Sequence, residues 1–194
     1  LSATQLKMIM VYLSDQNCTL EPCWFWKIVI RFIYFTGIRR KQLVTLNWND
    51  LDLEKQTIYL SVIGDKIDTG RILPLQENII SDLREYQLLI KHHYPKSYKP
   101  CTQLFNINLF NANYKGVKMT EGQVSGLFRR LCKKVGVKVS PHMLRHTMAT
   151  EMAKTGQIKA LQKILGHADI KTTMNFYVHP DLNQLRHVLN SLND

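Results

Sequence analysis

Residues Pro22 to Gly37, PCWFWKIVIRFIYFTG, decide the architecture. Proline suits the first position of a helix, and from Trp24 to Phe35 nearly every side of such a helix is apolar. That is the pattern of a central buried helix, ended by Thr36-Gly37. Lys27 and Arg31 interrupt the run, which is also too short to span a bilayer. A helix buried all round needs partners on every face, and the flanking sequence supplies them. On one side Ser2-Ala-Thr-Gln5 has capping-box spacing, followed at one-face helical intervals by Leu6, Ile9, Met10 and Leu13. On the other, Arg39 to Leu46 reads as a short helix, and Thr57–Val62 and Arg71–Leu75 read as two strands of a hairpin joined by the turn-rich Gly64 to Gly70.

Ile79, Leu83, Tyr86 and Ile90 mark a further helix ending near His92, and a loop surrounds Pro95 and Pro100. Thr120-Glu-Gly-Gln123 is a second capping box. Behind it Val124, Leu127, Phe128, Leu131 and Val135 make one apolar face, with Arg129, Arg130, Lys133 and Lys134 on the other. Ser140-Pro141 starts a helix predicted to run to Gly156, and Ile158–Leu165 is a shorter one stopped by Gly166. A small helix from about Asp169 to Tyr177 and an amphipathic tail helix over about 181–194 complete the pattern. The expectation is a single domain over 1–194, mainly α with a small antiparallel β-sheet, an α+β fold.

The 194 residues hold 26 Lys plus Arg against 15 Asp plus Glu, a net charge of +11, and residues 101–194 carry +8 of it. Such asymmetry points to a polyanion held mainly by the C-terminal half, nucleic acid before an anionic membrane surface. The 45% of hydrophobic residues argues against disorder. Cys18, Cys23, Cys101 and Cys132 form no C-x-x-C pair and no zinc-finger spacing, so neither a zinc site nor a disulfide scaffold is expected, and a reducing cytosolic setting fits. No signal peptide is legible, and an opening Leu1 in place of Met suggests a fragment of a longer protein.

Ser140 as cap and Pro141 as first helical residue set His142 in the first turn and Arg145 one turn on, along the same face. Backbone N–H groups and the dipole at a helix start favour an anion, and the same field favours a neutral imidazole. His142 is then a base or acceptor beside a phosphate that Arg145 grips in bidentate fashion. His142 and His146 also have the spacing of metal ligands, but an arginine stands between them where a zincin carries glutamate, so no metal is expected. Taken singly, His167, Tyr177 and Arg39 have bland readings: a residue after a helix stop, a core tyrosine, a surface arginine.

Together these segments resemble, in order and spacing, the catalytic domain of the tyrosine recombinases, the integrase family of site-specific recombinases. Thr36-Gly-Ile-Arg39 with Leu43, Leu46 and Trp48-Asn-Asp50 resembles the family's first arginine box. The hairpin ending in Arg71-Ile-Leu-Pro-Leu75 resembles the strand pair that carries its lysine, here Lys66. Pro141-His142-Met-Leu-Arg145 resembles the H-x-x-R box, and Leu165-Gly-His167 through Phe176-Tyr177 resembles the box ending in the nucleophile.

The resemblance implies a DNA-breaking and rejoining enzyme that needs no metal and no cofactor. Tyr177 would attack the scissile phosphate to give a 3′-phosphotyrosyl bond, Arg39 and Arg145 would clamp the phosphate, and Lys66 would protonate the leaving 5′-oxygen. His142 would assist the tyrosine and His167 would bind phosphoryl oxygens. Lys115, Lys118, Arg129, Arg130, Lys133 and Lys134, with Lys138 nearby, become a phosphate-backbone track on double-stranded DNA. The family's working assembly implies a homotetramer on two DNA sites, with this fragment alone a monomer, in the cytoplasm of a bacterium or among the products of a phage or other mobile element. The family's N-terminal core-binding domain is expected to be missing from this stretch, and the tail helix to dock on a neighbour or on its own domain. Two departures stand out: Gln42 replaces a glutamate common in relatives, and Asp65-Lys66-Ile67 replaces a Gly-Lys-Gly form. A catalytically silent DNA-binding relative and a type IB topoisomerase-like activity are the alternatives.

Overall fold

In the computed structural model residues 1–62, 70–93 and 102–166 are described. The predicted helices over about 169–177 and 181–194 lie outside them, as do the hairpin tip and the loop around Pro95 and Pro100.

Cys23–Thr36 forms the central helix α2, starting one residue later than the proline suggested because Pro22 takes the capping position. Phe25, Trp26, Val29, Ile30, Phe32 and Ile33 on it are fully buried, and α2 packs against three other helices. These are α1 (Ala3–Ser14), α4 (Glu77–His93) and α6 (Pro141–Ala153). Each large apolar side chain taken from water contributes roughly 1.5–3 kcal/mol. An aromatic cluster ties α2 to α4: Phe25 meets Tyr86 edge-on at 5.8 Å, and Tyr86 stacks with Phe105 at 5.8 Å and with Trp48 at 5.7 Å. The interruption at Arg31 is an ion pair, its Nε 2.8 Å from Asp82 Oδ2 on α4. Burial pushes the Asp82 carboxyl above its ordinary value, with Arg31 and Lys27 pulling it down.

After α2 come α3 (Arg40–Thr45) and a three-stranded antiparallel sheet in the order β1 (Leu51–Asp52), β2 (Thr57–Leu60), β3 (Arg71–Pro74). The hairpin register pairs Thr57 with Pro74 and Leu60 with Arg71. β1 carries no sequence signal of its own, since two residues cannot show alternation; it forms by pairing Leu51 with Ile58. Then follow α5 (Glu121–Val135), α6 and α7 (Ile158–Leu165). Capping boxes start α1 at Ser2 and α5 at Thr120, and left-handed glycines close α2, α5 and α7 at Gly37, Gly136 and Gly166. The helix expected to reach Gly156 ends at Ala153, and a turn with Gly156 at φ +74° leads into α7. α5 is fixed to α3 by Arg40, whose Nε lies 2.9 Å from Glu121 Oε2 and whose Nη1 donates to Ser125 Oγ at 2.6 Å.

The expectation of no disulfide is corrected: Cys18 and Cys23 are bonded, with Cα atoms 6.3 Å apart. A disulfide needs only that two Cα atoms approach within bonding reach, not a C-x-x-C spacing, and the connection between α1 and α2 turns back on itself far enough to achieve this. Cysteine usage therefore no longer argues for a reducing compartment. No helix among the described residues is long and apolar enough to cross a membrane.

Candidate active site

Arg145 stands where three chain segments meet: the end of α2, the first turns of α6 and the last turn of α7. Gly37 makes the corner possible. It caps α2 with φ +60°, which residues other than glycine adopt at a cost, and a Cβ there would collide with Met148 Cε. Its carbonyl, two residues before Arg39, accepts a hydrogen bond from Arg145 Nη1. Arg145 Nη2 donates to the Leu165 carbonyl at 2.8 Å. Only 5% of Arg145 is exposed, so its charge is fixed in place from two sides by main-chain oxygens. A guanidinium carries five donors in one plane, and securing it this way determines the direction of the fork.

Arg39, half-buried, is the residue before α3. Its backbone N–H donates to Gln42 Oε1 at 3.3 Å, and Gln42 Nε2 donates to the Ser61 carbonyl at 3.2 Å. Gln42 is 2% exposed. The departure from glutamate thus has a local cause, because the side chain must both accept from Arg39 and donate to the end of β2. A carboxylate does only the first.

His142 is exposed at the second position of α6, whose start is capped by Ser140 Oγ accepting from Met143 N–H at 3.2 Å. It and Arg145 stand one turn apart on the same face, as the spacing predicted. His146 is also exposed and shares a hydrogen bond with Thr150 Oγ1 at 3.3 Å. Among the described residues no group of three or more His, Cys, Asp or Glu is arranged to hold a metal ion. Lys66, His167 and Tyr177 lie outside the described residues. The structure thus sets Arg145 against the carbonyl of Gly37, two residues before Arg39 in the chain, with His142 one turn earlier on α6. Two cationic groups beside a helix N-terminus suit a phosphate, whose charge they neutralise without a metal.

The other predicted set lies on α5 and the loop before it. Lys115, Lys118, Arg129, Arg130, Lys133 and Lys134 are all exposed. Gln123 Nε2 donates to the Lys115 carbonyl at 3.4 Å and so holds the loop to the helix. Arg130 differs from the rest: its Nη2 donates to the Tyr114 hydroxyl, and its guanidinium carbon lies 5.8 Å from that ring's centroid.

One residue of this corner escapes sequence reasoning. Arg71, at the start of β3, donates from Nε to the Ile164 carbonyl at 2.8 Å, 93 residues away. Nothing local to Arg71-Ile-Leu-Pro signals such a partner. Arg40, through Glu121 and Ser125, is likewise a tether between distant segments.

Residues 1–184 match the phage integrase family. The chain belongs to that family. A protein of Pseudomonas aeruginosa provisionally named tyrosine recombinase XerC is 32% identical over 180 residues, which cover 92% of this chain and 41% of that one. The crystal structure of XerA recombinase superposes with a TM-score of 0.72 at 27% identity, covering all of this chain and 65% of that one. The Tn1549 transposon integrase, solved with transposon right end DNA, superposes with a TM-score of 0.75 at 25% identity, over 100% of this chain and 66% of that one. The integrase-family chain therefore spans less than half the length of the curated relative. Its architecture is that of the family, mostly helical with a small antiparallel sheet.

Proposed function

We propose that this chain is the catalytic domain of a site-specific DNA recombinase or integrase that cuts and rejoins strands through a 3′-phosphotyrosyl intermediate. The observation that carries the proposal is the Arg145 guanidinium, buried and fixed beside the corner that leads to Arg39. A guanidinium directed by two main-chain carbonyls presents its planar fork in one fixed direction, which favours an anion of matching geometry. A scissile phosphate is such an anion.

In this mechanism Tyr177 Oη attacks phosphorus, the bond from phosphorus to the 5′-oxygen breaks, and the 3′-phosphate stays on the tyrosine. His142 takes the tyrosine proton, and Lys66 supplies one to the leaving oxygen. Arg39, Arg145 and His167 stabilise the charge on the non-bridging oxygens, so no metal or cofactor is required. Attack of another 5′-hydroxyl reverses the step, and because the covalent link conserves the phosphodiester, exchange needs no ATP. The α5 track binds the backbone of double-stranded DNA, as the DNA-bound transposon integrase supports by its fold. The assembly we propose is a tetramer of the full-length protein on two sites, in the cytoplasm, where its DNA is.

The test uses full-length protein and its DNA site carrying a nick that traps the covalent intermediate. The expected result is a protein–DNA adduct that Tyr177→Phe abolishes and that chelator leaves unaffected. If no adduct forms, or if Tyr177→Phe forms it equally well, the proposal fails.

A further inference from the structure

We propose that Arg71 is a positioning residue for Arg145, acting through the last turn of α7. The final carbonyls of a helix have no partner within it and form the negative end of its dipole. Here two consecutive ones are taken by arginines from different elements: Ile164 by Arg71 Nε of β3, Leu165 by Arg145 Nη2 of α6, both at 2.8 Å. α7 has only eight residues, and it packs on α6 and β3. Its last turn is held by these two contacts together with the packing of Leu161 and Leu165 on Met148 and Ala149, and only the hydrogen bonds give the carbonyls their direction.

The Leu165 carbonyl is one of the two oxygens that direct the Arg145 guanidinium, the other being that of Gly37. Releasing the neighbouring Ile164 carbonyl from the sheet frees this end of α7 to shift, and the Arg145 fork shifts with it. Misplacement by a fraction of an ångström matters to phosphoryl transfer and hardly at all to DNA affinity, which many exposed cations supply. Arg71 thus affects the chemical step without touching the phosphate. The same bond ties the turn end of the β2–β3 hairpin to the last turn of α7.

This role rests on the recombinase reading above, and its test separates the two. Full-length wild-type protein, Arg71→Ala, Arg71→Lys, Arg145→Ala and the double variant Arg71→Ala with Arg145→Ala are given the nicked site. A second substrate carries a methylphosphonate at the scissile position, which lacks the negative oxygen that the arginines neutralise. Arg71→Ala is expected to slow adduct formation about ten- to a hundredfold with DNA affinity unchanged. The loss should shrink on the methylphosphonate, and the double variant should be little slower than Arg145→Ala alone. Arg71→Lys keeps the charge and the aliphatic stem but not the Nε–H, so it too should be slow; it carries the test if Arg71→Ala loses its fold. Full multiplicativity with Arg145→Ala, or an equal loss on both substrates, would falsify the positioning role. So would wild-type rates in Arg71→Ala or Arg71→Lys beside a wild-type protein that forms the adduct. A wild-type protein that forms none removes the recombinase reading and this role together.

Discussion

Arg145 and Lys133 carry the same charge under opposite constraints. Arg145 is buried and held by carbonyls from α2 and α7, whereas Lys133 stands exposed in the last turn of α5. A cation in water at 4 Å from a phosphate gains only about 1 kcal/mol, and salt screens it beyond about 10 Å. A cation with fixed direction and little water around it gains several times more, but only from a charge that develops in one place. Under the proposed function, the corner at Gly37 acts on one phosphate. The face of α5 is suited to attract many, with no single residue decisive.

The sharpest way to break this contrast is Arg145→Ala. Loss of one fixed donor to a transition-state oxyanion is expected to lower the cleavage rate by roughly 10²–10³, about 3–4 kcal/mol, measured as single-turnover adduct formation at saturating DNA. Arg145→Lys should recover little, since an ammonium cannot span the Gly37 and Leu165 carbonyls and still present a planar fork. Should either variant cleave at the wild-type rate, burial and fixation at this corner have no catalytic meaning.

A smaller effect is expected where the corner is made rather than where it acts. Gly37→Ala places a Cβ at φ +60° and against Met148 Cε, which a flexible methionine relieves in part. The expected cost is about 1–2 kcal/mol of stability in denaturant unfolding, from the left-handed backbone. Combining it with Met148→Ala should leave that backbone cost and remove the rest. A loss of several kcal/mol that Met148→Ala fully cures would instead mean that packing, not backbone, selects glycine there.

How much of this was legible follows the range of each interaction. The start of α5 at Thr120 and the stops at Gly37 and Gly166 are written within four residues and read directly. The H-x-x-R spacing likewise places His142 and Arg145 on one face. Arg71 on Ile164, Arg40 on Glu121 and the joining of Cys18 to Cys23 depend on where the chain returns in space, and no local pattern encodes that. Gln42 lies between these cases: the departure from glutamate was visible, but its reason needed the Ser61 carbonyl. Lys66, His167 and Tyr177 rest on the motif alone.

The smallest expected effect tests the other half of the contrast. Lys133→Ala removes one exposed charge from the C-terminal turn of α5, where a cation also complements the helix dipole by about 0.3–1 kcal/mol. If Lys133 contacts a phosphate, the plot of log affinity against log salt should become shallower by about one, with a several-fold loss at low salt, in a binding titration. The cleavage rate at saturating DNA should not change, because no transition-state charge develops near it. Arg130 is the informative control, since Tyr114 fixes it as Lys133 is not fixed. If Arg130→Ala shifts only affinity, exposure outweighs fixation on this face; if it also slows cleavage, direction matters on α5 as it does at Gly37.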